Sequence, residues 1–296
     1  MKLSKKIKLT MASLFAFTLL AACGSNGQTE DSNTGTTKKN GADQLTQIKE
    51  AGKLVIATSP DFPPAEFYIL KDGKKEIVGS DIALAQAIAD EIGVKLEIKA
   101  TAFDGVLANV QTGSVDFGIA AFVGTDERGA VMEFSDGYQQ EAADGFQGVL
   151  LSKTNAEKYQ TLDELKAAKL TVGAQSASIQ YELATTITDA KKIKQFATMD
   201  AALLALNSGD VDALTVSTSN VTPMLATFPD LVILPQETFD LDPTQRYATN
   251  VIGFPKQNDN AALIELANQV IQENLENGNL EKWRAEYTEM AVNAVE

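Results

Sequence analysis

The sequence predicts an α/β fold made of two successive units of about 100 residues each, followed by a helical tail. Three observations carry this. Short apolar runs alternate with amphipathic stretches that stop at glycine, the order that gives parallel strands joined by right-handed crossovers. The alternation comes as two series that divide near residue 146, and one late apolar run leaves the second series. With 44% hydrophobic residues and one cysteine in 296, the fold rests on its core, without an internal disulfide.

The first series opens at Asp43 with an amphipathic segment carrying Leu45 and Ile48. Leu54 to Thr58 is a short apolar run before a proline cluster and reads as a buried strand. Asp81 is placed to cap a helix in which Ile82, Ala85, Ala89 and Ile92 share one face, and Gly93 stops it. Val94 to Ile98 is a second strand, Asp104 to Gln111 a helix ending at Gly113, and Val115 to Ala121 a third strand.

The second series begins with a strand from Phe146 to Leu151. Thr161-Leu-Asp-Glu164 has capping-box form and opens a helix through Lys169. There follow a strand (Leu170 to Ala174), a helix (Ser178 to Thr186), a strand (Ile193 to Ala197) and a helix from Asp200 to Ser208 closed by Gly209. Val211 to Val216 and Leu231 to Leu234 are strands, and Val251 to Pro255 is the run that leaves the series. A long helix from Asn258 to Asn277 stops at Gly278, and Leu280 to Tyr287 forms a last short one. Pattern alone does not assign this tail to either unit.

The chain has 25 basic and 40 acidic residues, a formal net charge of −15. Four of the lysines (Lys2, Lys5, Lys6 and Lys8) precede an apolar run from Leu9 to Leu20; without them the balance is near −19. That acidity argues against nucleic acid as a partner and against adhesion to an anionic membrane surface. The absence of histidine removes the usual general base, the partner in serine and cysteine triads and the commonest zinc ligand. Carboxylate or lysine chemistry stays open.

The lysines and the short apolar run have the form of an export signal too short to span a bilayer. Leu20-Ala21-Ala22-Cys23 resembles a bacterial lipobox, in which the cysteine is acylated and becomes the new N-terminus. Residues 1–22 are then a signal peptide, and residues 23–42, which include the polar run GSNGQTEDSNTGTTKKNG, are a flexible tether. The remainder works on the extracytoplasmic face of the membrane, held by lipid at Cys23.

Seven ordered segments, SPDFPPAEF, VGSDIALAQAIADEIGVKLEI, FDGVLANVQTGSVDFGIAAFVGTDER, FSDGY, VGAQSAS, LNSGDVDAL and LEKWRAEY, are similar to those of the polar amino-acid solute-binding proteins of ABC importers. That group includes glutamine-, histidine- and arginine-binding proteins, and the resemblance spans residues 45 to 290. It implies the type II periplasmic-binding-protein fold: two lobes, each a mostly parallel sheet flanked by helices, joined by two hinge strands. Lobe 1 would be 43–147 plus 252–296, and lobe 2 would be 148–251. The implied function is capture of an amino acid or related small carboxylate and delivery to the transmembrane subunits of an ABC permease. No cofactor, no metal and no catalytic residue is implied, and the protein would be a monomer.

Arg128 is the first candidate site residue. A guanidinium holds a carboxylate through two parallel hydrogen bonds, and this one follows a strand at whose carboxyl end the crevice of an α/β fold opens. The resemblance gives it that role, since Thr125-Asp126-Glu127-Arg128 matches the family's T-x-E-R. The family also sandwiches its ligand between two apolar or aromatic groups, here Phe62 and Phe103. Where the family presents a glycine and a Thr or Ser to the carboxylate, this chain has Ala121 and Val123, so backbone N–H groups remain and the hydroxyl is gone. Ser178, in Gln175-Ser176-Ala177-Ser178, matches a carboxylate donor at a helix N-terminus or is a plain N-cap.

Ser217 is the main departure. Family members that bind α-amino acids carry an acid at this position, after Val211-Asp212-Ala213, to neutralise the ligand ammonium. Either another acid takes over, with Glu141, Asp144, Asp240 and Asp242 as candidates, or the ligand has no free α-ammonium there. Trp283 reads as a docking residue of the tail. Two other functions remain open: a dehydratase-like enzyme on the same scaffold, with Glu66 or Glu141 as its poised acid, and a lipid-anchored sensor or adhesin.

Overall fold

The computed structural model describes residues 42–140 and 145–295, the side chain of Gln140 excepted. Cys23, the signal segment and all of the expected tether but residue 42 lie outside the described residues, as do Glu141 and Asp144. Among the described residues no helix is long and apolar enough to cross a membrane.

Two five-stranded sheets organise the chain into two lobes. The first has the order β5 (Lys95–Ala100), β1 (Lys53–Thr58), β6 (Phe117–Gly118), β15 (Gly253–Pro255) and β7 (Met132–Phe134). β1 pairs parallel with β5 and β6, and β15 runs antiparallel to β6 and β7. The second has the order β11 (Ile193–Phe196), β10 (Val172–Gln175), β12 (Ala213–Ser217), β9 (Gln147–Ser152) and β13 (Leu231–Ile233). β10 is parallel to β11 and β12, and β9 is antiparallel to β12 and β13. Each sheet therefore has four co-directional strands and one reversed. The reversed strand is in both cases the one that arrives from the other lobe, and the two connections run side by side as β8 (Gln139–Gln140) against β14 (Thr249–Asn250).

Burial explains why the elements hold. Leu54 and Ile56 of β1, Leu84 and Ile88 of the Ser80–Ile92 helix, Phe117 and Phe254 form one fully buried cluster. Leu263, Ala267 and Ile271 of the Ala261–Glu276 helix complete it, and Trp283 packs on its edge. The tail thus docks on the first lobe, because its apolar stripe covers the end of that core. The second lobe has its own clusters around Leu203, Leu206 and Leu214, and around Val149, Leu151 and Leu165.

Three local expectations change. Asp81 does not cap its helix: the N-cap is Gly79, and Asp81 sits inside the first turn, fully buried. Its carboxylate instead accepts from the Ala121 N–H at 2.8 Å and the Tyr138 hydroxyl at 2.6 Å, which ties two loops to the helix. The expected strand from Val115 to Ala121 narrows to Phe117–Gly118, because the chain after Gly118 turns into the cleft. A further three-stranded sheet, β2 (Asp61–Phe62), β3 (Glu66–Lys71) and β4 (Lys74–Val78), went unread in the pattern. Its signal was present: Asp72 and Gly73 both take positive φ, the hairpin conformation that an Asp-Gly pair favours.

Gly79 locks this small sheet to the first lobe. It has φ +143°, and a Cβ there would stand 1.9 Å from the Ala65 carbonyl oxygen and 2.8 Å from the Glu66 Cα. Gly79→Ala should therefore lower stability by about 2–4 kcal/mol, read as a shifted midpoint in urea unfolding. An unshifted midpoint would show that the contact relaxes freely.

Candidate functional site

The parallel strands of both sheets end facing one another, and the loops leaving them line a cavity between the lobes. It lies at the place where α/β sheets put small-molecule sites. From the first lobe come the segment after β1 (Ser59 to Phe62), the start of the Phe103–Thr112 helix and the loop after β6 (Ala120 to Val123). From the second come the loop after β10 and the end of β12. Among the described residues no cluster of three metal-ligating side chains occurs.

Arg128 lies in this cavity, 8% exposed. Thr125 caps its short helix, Asp126–Gly129, by accepting from the Arg128 N–H. The guanidinium donates to the Val123 carbonyl at 2.7 Å on its own lobe and to the Ala177 carbonyl at 3.0 Å on the other. Its Cζ stands 5.4 Å from the ring centre of Phe103 and 5.7 Å from that of Phe122, the geometry of cation–π contact. No described carboxylate is within 4 Å of it. Burial lowers its pKa to about 10, against the pull of Glu182, Glu127 and Tyr247, so it stays charged at neutral pH. Two of its five N–H groups are used by carbonyls, which leaves donors for an anion.

The other sequence-derived candidates, Phe62, Phe103, Ala121, Val123, Ser178 and Ser217, also line the cavity. Their local chemistry differs in part from the expectation. Phe62 packs against the core of the second lobe, and Phe103 is a ring partner of Arg128. Ala121 takes the left-handed conformation (φ +47°), and its N–H is already given to Asp81, so it is not a spare donor. Ser178 is an N-cap: its hydroxyl donates to the Gln175 carbonyl at 2.7 Å and accepts from the Tyr181 N–H. Ser217 donates to the Asn220 Oδ1 at 2.5 Å. Asp240 and Asp242 do not line the cavity; Asp242 accepts from the Arg246 and Tyr247 N–H groups and holds their loop.

Several cavity residues had no signal strong enough to single them out. Asp61 crosses between the lobes, accepting from the Gln175 side chain at 2.9 Å and from the Met199 N–H at 2.7 Å. Asn220 donates to the Pro63 carbonyl at 3.4 Å, and the Gln180 amide donates to the Gln147 side chain at 2.9 Å. Tyr247 packs with Val123, Ile179 and Leu183, and its hydroxyl donates to Glu182. Glu66, named from the sequence as the acid of an enzyme alternative, is fully buried at the cavity wall and shares a side-chain hydrogen bond with the buried Asp81.

Burial, then the charges of Asp81 and Asp61, raise the Glu66 pKa well above the usual carboxylate range. The folded protein therefore holds this proton more tightly than the unfolded chain. The stability so gained is full below the unfolded pKa, near 4.5, and is lost as pH rises through the raised one. Melting temperature should fall between mildly acidic and neutral pH in the wild type and fall less in Glu66→Gln. Parallel profiles for the two proteins would rule out this titration.

Residues 54–290 match the family described as bacterial extracellular solute-binding proteins, family 3. The chain is similar to an amino acid ABC transporter substrate-binding protein of Streptococcus pneumoniae solved with L-arginine, at 32% identity and a TM-score of 0.74, covering 86% of this chain and all of that one. It is 27% identical to the probable ABC transporter extracellular-binding protein YckB of Bacillus subtilis strain 168, over 77% of this chain and 76% of that protein. It is 29% identical to the glutamine-binding protein GlnH of the same organism, over 72% and 74%. The two-lobed architecture and the match along nearly all of both lobes have one meaning: the chain belongs to the bacterial extracellular solute-binding proteins, family 3.

Proposed function

We propose that this protein captures an amino acid or related small carboxylate in the inter-lobe cavity and delivers it to the transmembrane subunits of an ABC permease. The observation that supports this best is Arg128: a buried cation, touching both lobes, with no carboxylate of the described residues within 4 Å. A ligand carboxylate supplies the missing charge and benefits from the low dielectric of the closed cavity. Phe62 and Phe103 shield it from water, while Ser178 and Ser217 flank it from the second lobe. The protein acts as a monomer and without a cofactor. The lobes divide at 43–147 plus 252–296 against 148–251, and the chain is held at the membrane by lipid on Cys23 through a tether of residues 23–42. The relatives' named ligands, arginine and glutamine, share the α-amino acid carboxylate and differ beyond it.

Ligand at a hundredfold excess over Kd stabilises the folded state by about 2.7 kcal/mol, which a thermal-shift screen of the purified protein against the amino acids resolves. A shift with at least one amino acid, lost in Arg128→Ala and partly kept in Arg128→Lys, is the expected result. An equal shift in Arg128→Ala would remove the carboxylate role of this residue.

A further inference from the structure

Glu66 and Asp81 are two fully buried carboxyl groups that share a hydrogen bond. Two carboxylates cannot bond to each other, because an ionised carboxyl only accepts. One member of the pair therefore holds a proton. Asp81 already accepts from the Ala121 N–H at 2.8 Å and the Tyr138 hydroxyl at 2.6 Å. Arg284, on the tail helix Asn279–Met290, also favours its charge. Glu66 has no such support: beyond Asp81, the charge acting on it is that of Asp61, which accepts from Ser59, Gln175 and Met199. The proton thus belongs on Glu66, which donates to an ionised Asp81.

The pair stands between the cavity and the connection of the lobes. Glu66 lines the cavity, and so does Ala121. Ala121 takes φ +47°, a conformation that an alanine does not choose by itself, so its bond to Asp81 helps to hold the turn. Two residues on, the Val123 carbonyl accepts from the Arg128 guanidinium at 2.7 Å. Tyr138 immediately precedes β8, one of the two connections between the lobes. One buried carboxylate therefore fixes both the loop beside Arg128 and the start of a connecting strand. Were Glu66 to lose its proton, two buried negative charges would face each other and Asp81 would be driven off these donors.

Building on the capture reading above, we propose that Glu66 is a positioning residue: its carboxyl O–H donates to Asp81, and this bond holds the Ala121 loop and Tyr138 in the arrangement that binds solute. Solute capture is thereby linked to a proton. Affinity is full while Glu66 is protonated and weakens as pH rises through its titration. The direction agrees with burial beside two acids, which keeps the proton on Glu66 well above the usual carboxylate range. Glu66 acts through Asp81 and not through a contact with the solute.

Amide hydrogen exchange of the purified protein, read by NMR, tests this without a solute. The Ala121 amide should lose protection by about tenfold in Glu66→Leu, the worth of one hydrogen bond to a charged group. The Ile119 amide, which donates to the Ala57 carbonyl close by, should change much less. Glu66→Gln keeps a side-chain donor, so it should restore Ala121 protection and make it independent of pH. In the wild type that protection should fall as pH rises. Infrared spectra near neutral pH should show the C=O stretch of a protonated carboxyl in the wild type and not in Glu66→Gln. Equal losses at Ile119 and Ala121 would reduce Glu66 to general packing and overturn the proposal. A missing carboxyl band, or wild-type protection of Ala121 that is flat in pH, also overturns it. These wild-type measurements stand even if the variants fold poorly. Calorimetric affinity for L-arginine or L-glutamine should fall with rising pH in the wild type and stay level in Glu66→Gln; a level wild-type profile overturns the link to capture. Failure of the capture reading has a separate signature: no amino acid gives a thermal shift, although the carboxyl band and the Ala121 protection are as described.

Discussion

A buried guanidinium that touches two carbonyls and two aromatic rings, with no carboxylate of the described residues within 4 Å, is the constraint to which the rest of this structure answers. Charge in a low-dielectric interior is unfavourable until it is paired, and the carbonyls and ring faces offset that cost only in part. Thr125 fixes the backbone that presents Arg128, and the second lobe contributes the Ala177 carbonyl by holding that residue at φ +59°. A left-handed alanine costs on the order of 1 kcal/mol, so this turn is held by its surroundings and not by its own preference.

The same inter-lobe surface has contacts that need no ligand. Asp61 bridges from the first lobe to Gln175 and Met199, and Val123 packs on Ile179 and Leu183. A solute can shift the balance between open and closed lobes only by as much as it binds the closed form better. These direct contacts lower the shift required of it. They work against release, since each must be broken when the cavity opens through the paired strands β8 and β14.

Most of the fold was legible in the sequence because its signals are local. Apolar runs, glycine stops such as Gly93, Gly113 and Gly209, and the departure of Val251–Pro255 from the second series all record themselves within a few residues. The β3–β4 hairpin was missed because its strands are half exposed and irregular in pattern, although the Asp72-Gly73 turn marked it. Asp81 was misread because Asp at a helix start has the composition of a cap, and only the fold brings Ala121 and Tyr138 to it. Arg128 stood out through its motif. Asp61 meets Gln175 across 114 residues of sequence, and Gln147 and Asn220 reach the same cavity from distant segments, so no spacing could announce them.

The most direct test is a crystal structure with the amino acid that gives the largest thermal shift. Its carboxylate should lie within about 3 Å of the Arg128 guanidinium, inside the cavity and between Phe62 and Phe103. A ligand seated elsewhere, or one that turns a different group toward Arg128, would contradict the carboxylate role of this residue.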